Sequence, residues 1–172
     1  MPLSKIDSAS LNSGAVTSTA LAAGSVAQTN LSAGVAGNGP AFSAYFTGSQ
    51  TIPTNVATKV QINTEEFDTN SNFDSATNYR FTPTVAGYYQ VNGCVYATTA
   101  TTNSAVYIYK NGAGFKFANF PASNSSAFVG AVIYLNGSTD YIELYGLFTG
   151  TTPAFQAGVL YTTFSASMVR AA

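Results

Sequence analysis

Histidine and tryptophan are absent, cysteine occurs once, and charged residues supply only 8 % of the 172-residue chain. Without histidine, neither a Ser-His-Asp nor a Cys-His nucleophile can be assembled, and the usual zinc sites lose their nitrogen ligand. Catalysis would have to rest on carboxylates. Seven acidic residues exist, and four of them, Glu65, Glu66, Asp68 and Asp74, share one short polar segment. A carboxylate pair about 5 to 9 Å apart can hydrolyse a glycosidic bond. Acids clustered in a polar loop serve solvation or a cation instead. The expectation is a non-enzymatic protein without a cofactor.

The single cysteine, Cys94, cannot form an intrachain disulfide, and within the apolar run 88–97 it reads as a small buried hydrophobe. The six Lys and Arg residues are scattered from Lys5 to Arg170 and the formal net charge is -1. No basic field is available to neutralise phosphates, so nucleic acid is not expected as a ligand. Met-Pro-Leu-Ser-Lys at the start lacks the charged head and apolar run of a signal peptide. No later stretch reaches the roughly 18 apolar residues of a membrane span. Cytosolic synthesis without membrane insertion is the expectation. Nor does any glycine-rich phosphate loop open a helix: Asn111-Gly112-Ala113-Gly114 joins two strand-like runs and reads as a hairpin.

What is abundant is uncharged. Apolar residues make up 46 % of the chain, so Ser, Thr, Asn, Gln and Gly carry most of the solvation, and much of the surface is neutral or covered. Residues 11–40 divide into LNSGAVTSTA, LAAGSVAQTN and LSAGVAGNGP, with Leu11, Leu21 and Leu31 in register and Gly14, Gly24 and Gly34 following. The large apolar residues Ile6, Leu11, Val16, Leu21, Val26 and Leu31 recur every five positions. A helix rotates about 100° per residue, so this spacing spirals around it, and a strand would send alternate members to opposite faces. A thread of Ala, Ser, Thr, Asn and Gly cannot bury its own Leu and Val. Two covers are reasonable: further copies of the segment around a threefold axis, or a larger assembly along which residues 1–40 lie as an arm. A disordered Ala/Ser linker is the alternative.

Asn38-Gly39-Pro40 punctuates the chain, and a domain boundary is placed near residue 40. From there to residue 172, short β-rich runs alternate with turn signals, at 41–46, 56–62, 79–81, 87–97, 105–110, 114–118, 127–135, 141–148 and 158–169. That grammar is all-β, a sandwich or barrel. Alternation puts Ile142 and Leu144 on one face and Tyr141, Glu143 and Tyr145 on the other. It also groups Leu160, Phe164, Ala166 and Met168. In 127–135 it gives two apolar faces, with Phe128, Val132 and Tyr134 opposite Val129, Ile133 and Leu135. A strand covered on both sides needs a further layer, and with no helices to provide one, subunit contact is the natural cover. The expected assembly contacts are Leu11, Val16, Leu21, Val26, Leu31, Phe128, Val132 and Tyr134.

Asp68, Asn70, Asn72 and Asp74 space oxygen ligands like the first half of a calcium loop. The glycine expected at the sixth place is Phe73 and the distal glutamate is Tyr79. An Asx-rich turn is the plainer reading, and calcium stays open as a candidate. The eleven Tyr and twelve Phe suggest sugar-stacking platforms or, more simply, core and subunit packing. Residues 98–104, 119–126 and 149–155, rich in Thr, Ser and Asn, are the candidate loops for a host-surface glycan or protein.

The stretch FDSATNYRFTPTVAGYYQV at 73–91 resembles the signature of the trimeric complement-type globular head, a tumour-necrosis-factor-like jelly roll. Phe73-Asp74, Tyr79, Phe81-Thr82, Pro83, Gly87 and Tyr89 supply its parts. Ala41-Phe42-Ser43-Ala44 resembles that family's opening strand and VYIYKNG at 106–112 its Lys-Asn-Gly hairpin. The chain departs from the pattern at Gly137-Ser138-Thr139-Asp140, where the family usually has Gly-Asp. Physically, Pro83 sets a turn, Gly87 permits a bend, and Phe81, Tyr89 and Val91 enter the core. The decads in turn resemble Leu-Ala-x-Gly-x-Val repeats of bacteriophage fibre proteins. Together the resemblances imply a homotrimeric jelly-roll β-sandwich behind an extended repeat. They further imply a place in a virion as a short fibre whose knob meets the host, or as a capsid-decorating protein whose residues 1–40 bind other virion proteins.

Overall fold

A computed structural model describes residues 38–121 and 126–172, and every regular element within them is a β-strand. In chain order these are β1 (Ala41–Tyr45), β2 (Gln50–Thr51), β3 (Thr58–Lys59), β4 (Thr64–Asp68), β5 (Phe73–Asp74), β6 (Arg80–Phe81) and β7 (Ala86–Tyr96). They continue with β8 (Asn103–Lys110), β9 (Ala113–Pro121), β10 (Ser126–Asn136), β11 (Ile142–Thr149), β12 (Ala154–Phe155) and β13 (Thr163–Ala171). One sheet runs β10-β7-β13-β1-β4. The second runs β5-β6-β11-β8-β9 with β3 added beside β11, and β2 pairs with β12. First and last strands lie side by side, antiparallel from Ala41 opposite Ser167 to Tyr45 opposite Thr163. The result is a jelly-roll sandwich.

Period-two patterning builds the core. Along β7, Tyr89, Val91 and Val95 are buried while Tyr88, Asn92 and Tyr96 face outward. Ile142 and Leu144 point inward from β11, as alternation predicts. Phe42 stacks on Phe73 at 4.5 Å and on Phe81 at 4.7 Å, and meets Phe164 edge-on at 5.2 Å. Rings from both sheets thereby meet around one β1 side chain. Tyr89 is fully buried, and desolvation pushes its phenol up to about 12. Its hydroxyl donates to the Val85 carbonyl at 2.7 Å, so no polar atom is stranded.

Turn chemistry sets the registers. Asn111 (φ 54) and Gly112 (φ 78) both occupy the left-handed region and close the β8–β9 hairpin, the turn read from the sequence. Between β10 and β11, the Asn136 side-chain oxygen accepts the N–H groups of Ser138, Thr139 and Asp140. Asp140 then accepts from Lys110 Nζ at 2.9 Å, from Asn111 Nδ2 at 2.7 Å and from the Asn136 N–H at 3.1 Å. The Asn111 and Lys110 donors hold its carboxyl below the usual carboxylate range. Replacing Asp140 by alanine leaves a half-buried ammonium and an amide donor without their partner. The expected cost is about 3 kcal/mol, read from urea unfolding.

The structure corrects several expectations. The last strand begins at Thr163 rather than 158, and Leu160 is 84 % exposed in a turn instead of sharing the face of Phe164, Ala166 and Met168. The acidic segment is not wholly a loop, since β4 pairs with β1 as a sheet edge. Its mostly exposed side chains hide it from alternation. Gly87 serves close approach rather than a bend, because a Cβ there would lie 2.5 Å from the Arg170 carbonyl oxygen. Cys94 is half-buried on the outer face of β7, not a core residue, and burial raises its thiol pKa.

The sandwich has two unlike poles. Residue 38 enters, β13 ends, and the β8–β9 and β10–β11 turns lie at one of them, where the Ala172 N–H reaches the Ala86 carbonyl. The connections 97–102 and 150–153 lie at the other.

Candidate functional site

β10 is the edge strand of its sheet, paired only with β7 from Ser126 opposite Tyr96 to Asn136 opposite Ala86. Val129, Ile133 and Leu135 are buried against the other sheet. On the opposite side Phe128 is 66 %, Val132 54 % and Tyr134 43 % exposed in the single chain. The strand is therefore apolar on both faces, as its sequence states, and among the described residues only one face is covered.

The uncovered face continues across the sheet. Tyr88 meets Tyr134 at 5.5 Å, Tyr96 meets Tyr161 at 5.3 Å, and Val169 of β13 is nearly half exposed. Between them lie Gln90 and Asn92, opposite Ser167 and Ser165. Gln90 Nε2 donates to Asn92 Oδ1 at 3.1 Å. Apolar margins around a neutral polar centre suit burial without an unpaired charge, and covering a side chain such as Phe128 contributes on the order of 1.5–3 kcal/mol. The remaining expected contacts, Leu11, Val16, Leu21, Val26 and Leu31, fall outside the described residues.

The outer face of the second sheet carries an aromatic ladder. Tyr107 stacks on Phe117 at 5.7 Å and Tyr109 on Tyr145 at 3.8 Å, while Arg80 lies 4.4 Å from the Tyr141 ring centre. The nearly buried Glu143 pairs with Lys59 beneath them. Burial, with the Glu143 charge nearby, raises the Tyr145 hydroxyl pKa. These rings turn their faces to one another, which favours packing over sugar stacking.

Asp68 and Asp74 each close an Asx turn, while the Asn70 side-chain oxygen accepts the Thr69 hydroxyl. Asp68 accepts the N–H groups of Asn70 and Phe73. Asp74 accepts those of Ala76, Thr77 and Asn78, led by Thr77, which lowers its carboxyl to about 2. Asn72 turns its oxygen to the Thr84 N–H and hydroxyl. Among the described residues, no three His, Cys, Asp or Glu side chains are placed to share a metal ion.

Two of the candidate loops are brought together. The Thr98 N–H reaches the Ala154 carbonyl at 3.0 Å and the Thr102 N–H the Thr149 carbonyl at 2.8 Å. The Gly150 N–H donates to Thr54 Oγ1 at 3.1 Å, adding a contact from the 52–57 connection. The third loop begins beside them, since Pro121 pairs with Asn103, but residues 122–125 lie outside the described residues. Sequence reasoning missed Leu160, which Gly158 (φ 121) and the Tyr161 N–H bond to the Gly158 carbonyl hold out at this same pole. The glycine two residues earlier was the available signal.

No protein-family model and no curated protein matches this sequence. Solved structures do match in fold. The globular domain of zebrafish complement 1qA protein superimposes with a TM-score of 0.57 at 18 % identity, over 77 % of this chain and 99 % of that one. Murine APRIL gives 0.60 at 11 % identity, over 75 % and 98 %. The PRD1 vertex protein P5 gives 0.54 at 18 % identity, over 76 % and 97 %. The domain thus shares the jelly-roll fold of these structures.

Proposed function

We propose that this chain is a structural component of a bacteriophage particle that works as a homotrimer, a short fibre whose knob contacts the host surface. The observation that carries the trimer is the outer face of β10, where Phe128, Val132 and Tyr134 stand uncovered in line with Tyr88 and Tyr96. Copies related by a rotation cover such a face without leaving a new one exposed. The complement-like signature and the fold agree with that reading, as do decads that need an outside cover for their Leu and Val. Three knobs on one stem also turn weak single contacts into avidity.

The two poles supply a direction. Residues 1–37 attach at one end, while the Thr-rich connections and Leu160 stand at the other, clear of the attachment. That arrangement suits a stem held by other virion proteins and a tip presented to a glycan or protein of the host. Capsid decoration without receptor binding is the second reading, favoured by the shared fold of a vertex protein.

Imaging of the intact particle separates the two. Density at the tail tip supports the fibre, and density at capsid vertices or threefold sites supports decoration. Absence of the protein from purified particles overturns both.

A further inference from the structure

The formal charges of the domain keep away from one of its poles. Lys110, Asp140, Glu143 and Arg170 lie toward the end where residue 38 enters, since β11 begins beside Lys110 and β13 ends beside Gly87. At the other pole, residues 46–57, 97–102 and 150–162 contain no Asp, Glu, Lys or Arg, and neither do residues 122–125. The charges that follow residue 57 in sequence are engaged: Lys59 pairs with Glu143, and Glu65 and Glu66 accept the hydroxyls of Ser75 and Ser43.

Three connections at this uncharged pole are tied into one surface. The Thr102 hydroxyl donates to the Thr149 carbonyl at 3.3 Å, the Thr149 hydroxyl to Asn55 Oδ1 at 3.4 Å, and the Asn55 N–H to the Phe148 carbonyl at 2.9 Å. Thr54, Asn55, Val56, Thr102, Thr151 and Thr152 stand exposed around these bonds.

Asn55 (φ 61) and Thr152 (φ 49) both occupy the left-handed region. Asparagine tolerates it. A β-branched residue does so only under strain, and Pro153 next in the chain also presses residue 152 toward extended backbone. Of the five non-glycine residues with positive φ among the described residues, Thr152 alone is β-branched. Glycine would fit the turn without strain. The Thr152 hydroxyl has no hydrogen-bond partner among the described residues, so the side chain kept at this strained position has its use outside the chain.

We propose that this pole binds an uncharged glycan, with Asn55, Val56, Thr151 and Thr152 at the contact, a ligand class that deepens the host-contact reading and rests on it. An anionic ligand would find no Lys or Arg to answer it, and a cationic one no carboxylate. A protein partner would look for the aromatic and Arg anchors that carry most interfaces, and residues 54–57, 98–102 and 149–152 hold none. A sugar ring asks for hydroxyl partners and a small apolar surface for its C–H face. Each threonine offers both, Asn55 adds an amide, and Val56 is 49 % exposed. Such contacts are weak singly, and several knobs on one stem add them up as avidity.

Binding of the labelled full-length protein to immobilised oligosaccharides tests this, with uncharged glucans, mannans, galactans and N-acetylhexosamine oligomers beside sialylated, uronic-acid and phosphorylated ones. Signal is expected on uncharged glycans alone. Raising the salt from about 50 to about 500 mM should change it by less than about twofold, because no charge pair is there to be screened. Thr152→Gly should weaken binding about three- to tenfold, the loss of one hydrogen bond and a methyl contact, while the melting temperature is retained. Thr151→Ala, at the neighbouring exposed position, should weaken it as well. Signal on anionic glycans that salt removes, or two variants that bind like the parent, overturns the proposal. The same protein applied to a panel of bacterial cells separates the ligand class from the reading beneath it. Cell binding lost on periodate treatment supports the glycan. Binding that survives periodate but not protease keeps host contact and sinks the glycan, and binding to no cell and no glycan sinks both.

Discussion

Val132→Glu is expected to convert the trimer to monomers while leaving the jelly roll folded. Val132 stands at the middle of the uncovered face of β10, 54 % exposed in the single chain, so a glutamate there is solvated and tolerated as long as the chain is alone. Assembly would carry that carboxylate from water into an apolar contact between Phe128 and Tyr134. Arg170 lines the same depression as Val132 but stands on β13, two strands from β10, and Lys110 is already bound to Asp140 and the Tyr134 carbonyl. Burying an unpaired carboxylate costs several kcal/mol, and each 1.4 kcal/mol is about tenfold in an association constant. With the penalty repeated at every contact, a trimer held at micromolar concentration dissociates. Sedimentation should show a threefold drop in mass, with the far-ultraviolet dichroism of a β protein retained. Val132→Ile, which adds apolar surface without charge, should keep the parental mass. A Val132→Glu protein that remains trimeric would place the contact elsewhere.

Phe42→Ala is expected to be the most damaging single truncation in the core. The ring is 1 % exposed and touches Phe73, Phe81 and Phe164 at centroid distances of 4.5, 4.7 and 5.2 Å. It hangs from β1, a strand flanked by β13 and β4, and packs on Phe73 and Phe81 of the facing sheet. Its loss removes apolar area and opens a cavity whose aromatic walls come from two sheets and cannot close together easily. Phe-to-Ala changes in cores cost about 3–5 kcal/mol. Against a typical stability of about 5–15 kcal/mol this is a large share, and a domain of this size should melt about 10–20 °C lower. The measurement should be made in the Val132→Glu background, so that subunit association does not add to the apparent stability. A loss below about 1 kcal/mol would mean that the cluster collapses without strain.

What the sequence made legible is what local pattern controls. Phe128 to Leu135 announced two apolar faces because side chains alternate strictly along a strand, whatever the strand pairs with. Asn111-Gly112 announced its hairpin because few other pairs accept two left-handed residues in succession. Phe81, Tyr89 and Val91 were readable as core for the same reason as β10. The features that escaped depend on distant partners. β4 has no buried face and becomes a strand only through its backbone bonds to β1. Glu143 reads as an outward polar residue, yet Lys59, far away in sequence, folds over it and allows its burial. Leu160 continues the alternation of Phe164 and Ala166 on paper, but the turn closed on Gly158 ends that register. The oxygens of Asp68, Asn72 and Asp74 accept backbone N–H groups, a use that asks for Asp and Asn at the same short intervals as a calcium loop. The two poles, and the meeting of loops 98–104 and 149–155 at one of them, are properties of topology that no single segment carries.

The central claim is that the outer face of β10 is an interface between copies of this chain. The most direct measurement is the mass of the unsubstituted full-length protein by sedimentation equilibrium over a range of concentrations. Three times the 17.8 kDa chain mass, persisting on dilution, is the expected result. A single chain mass at high concentration, with Phe128, Val132 and Tyr134 left to solvent, would contradict it.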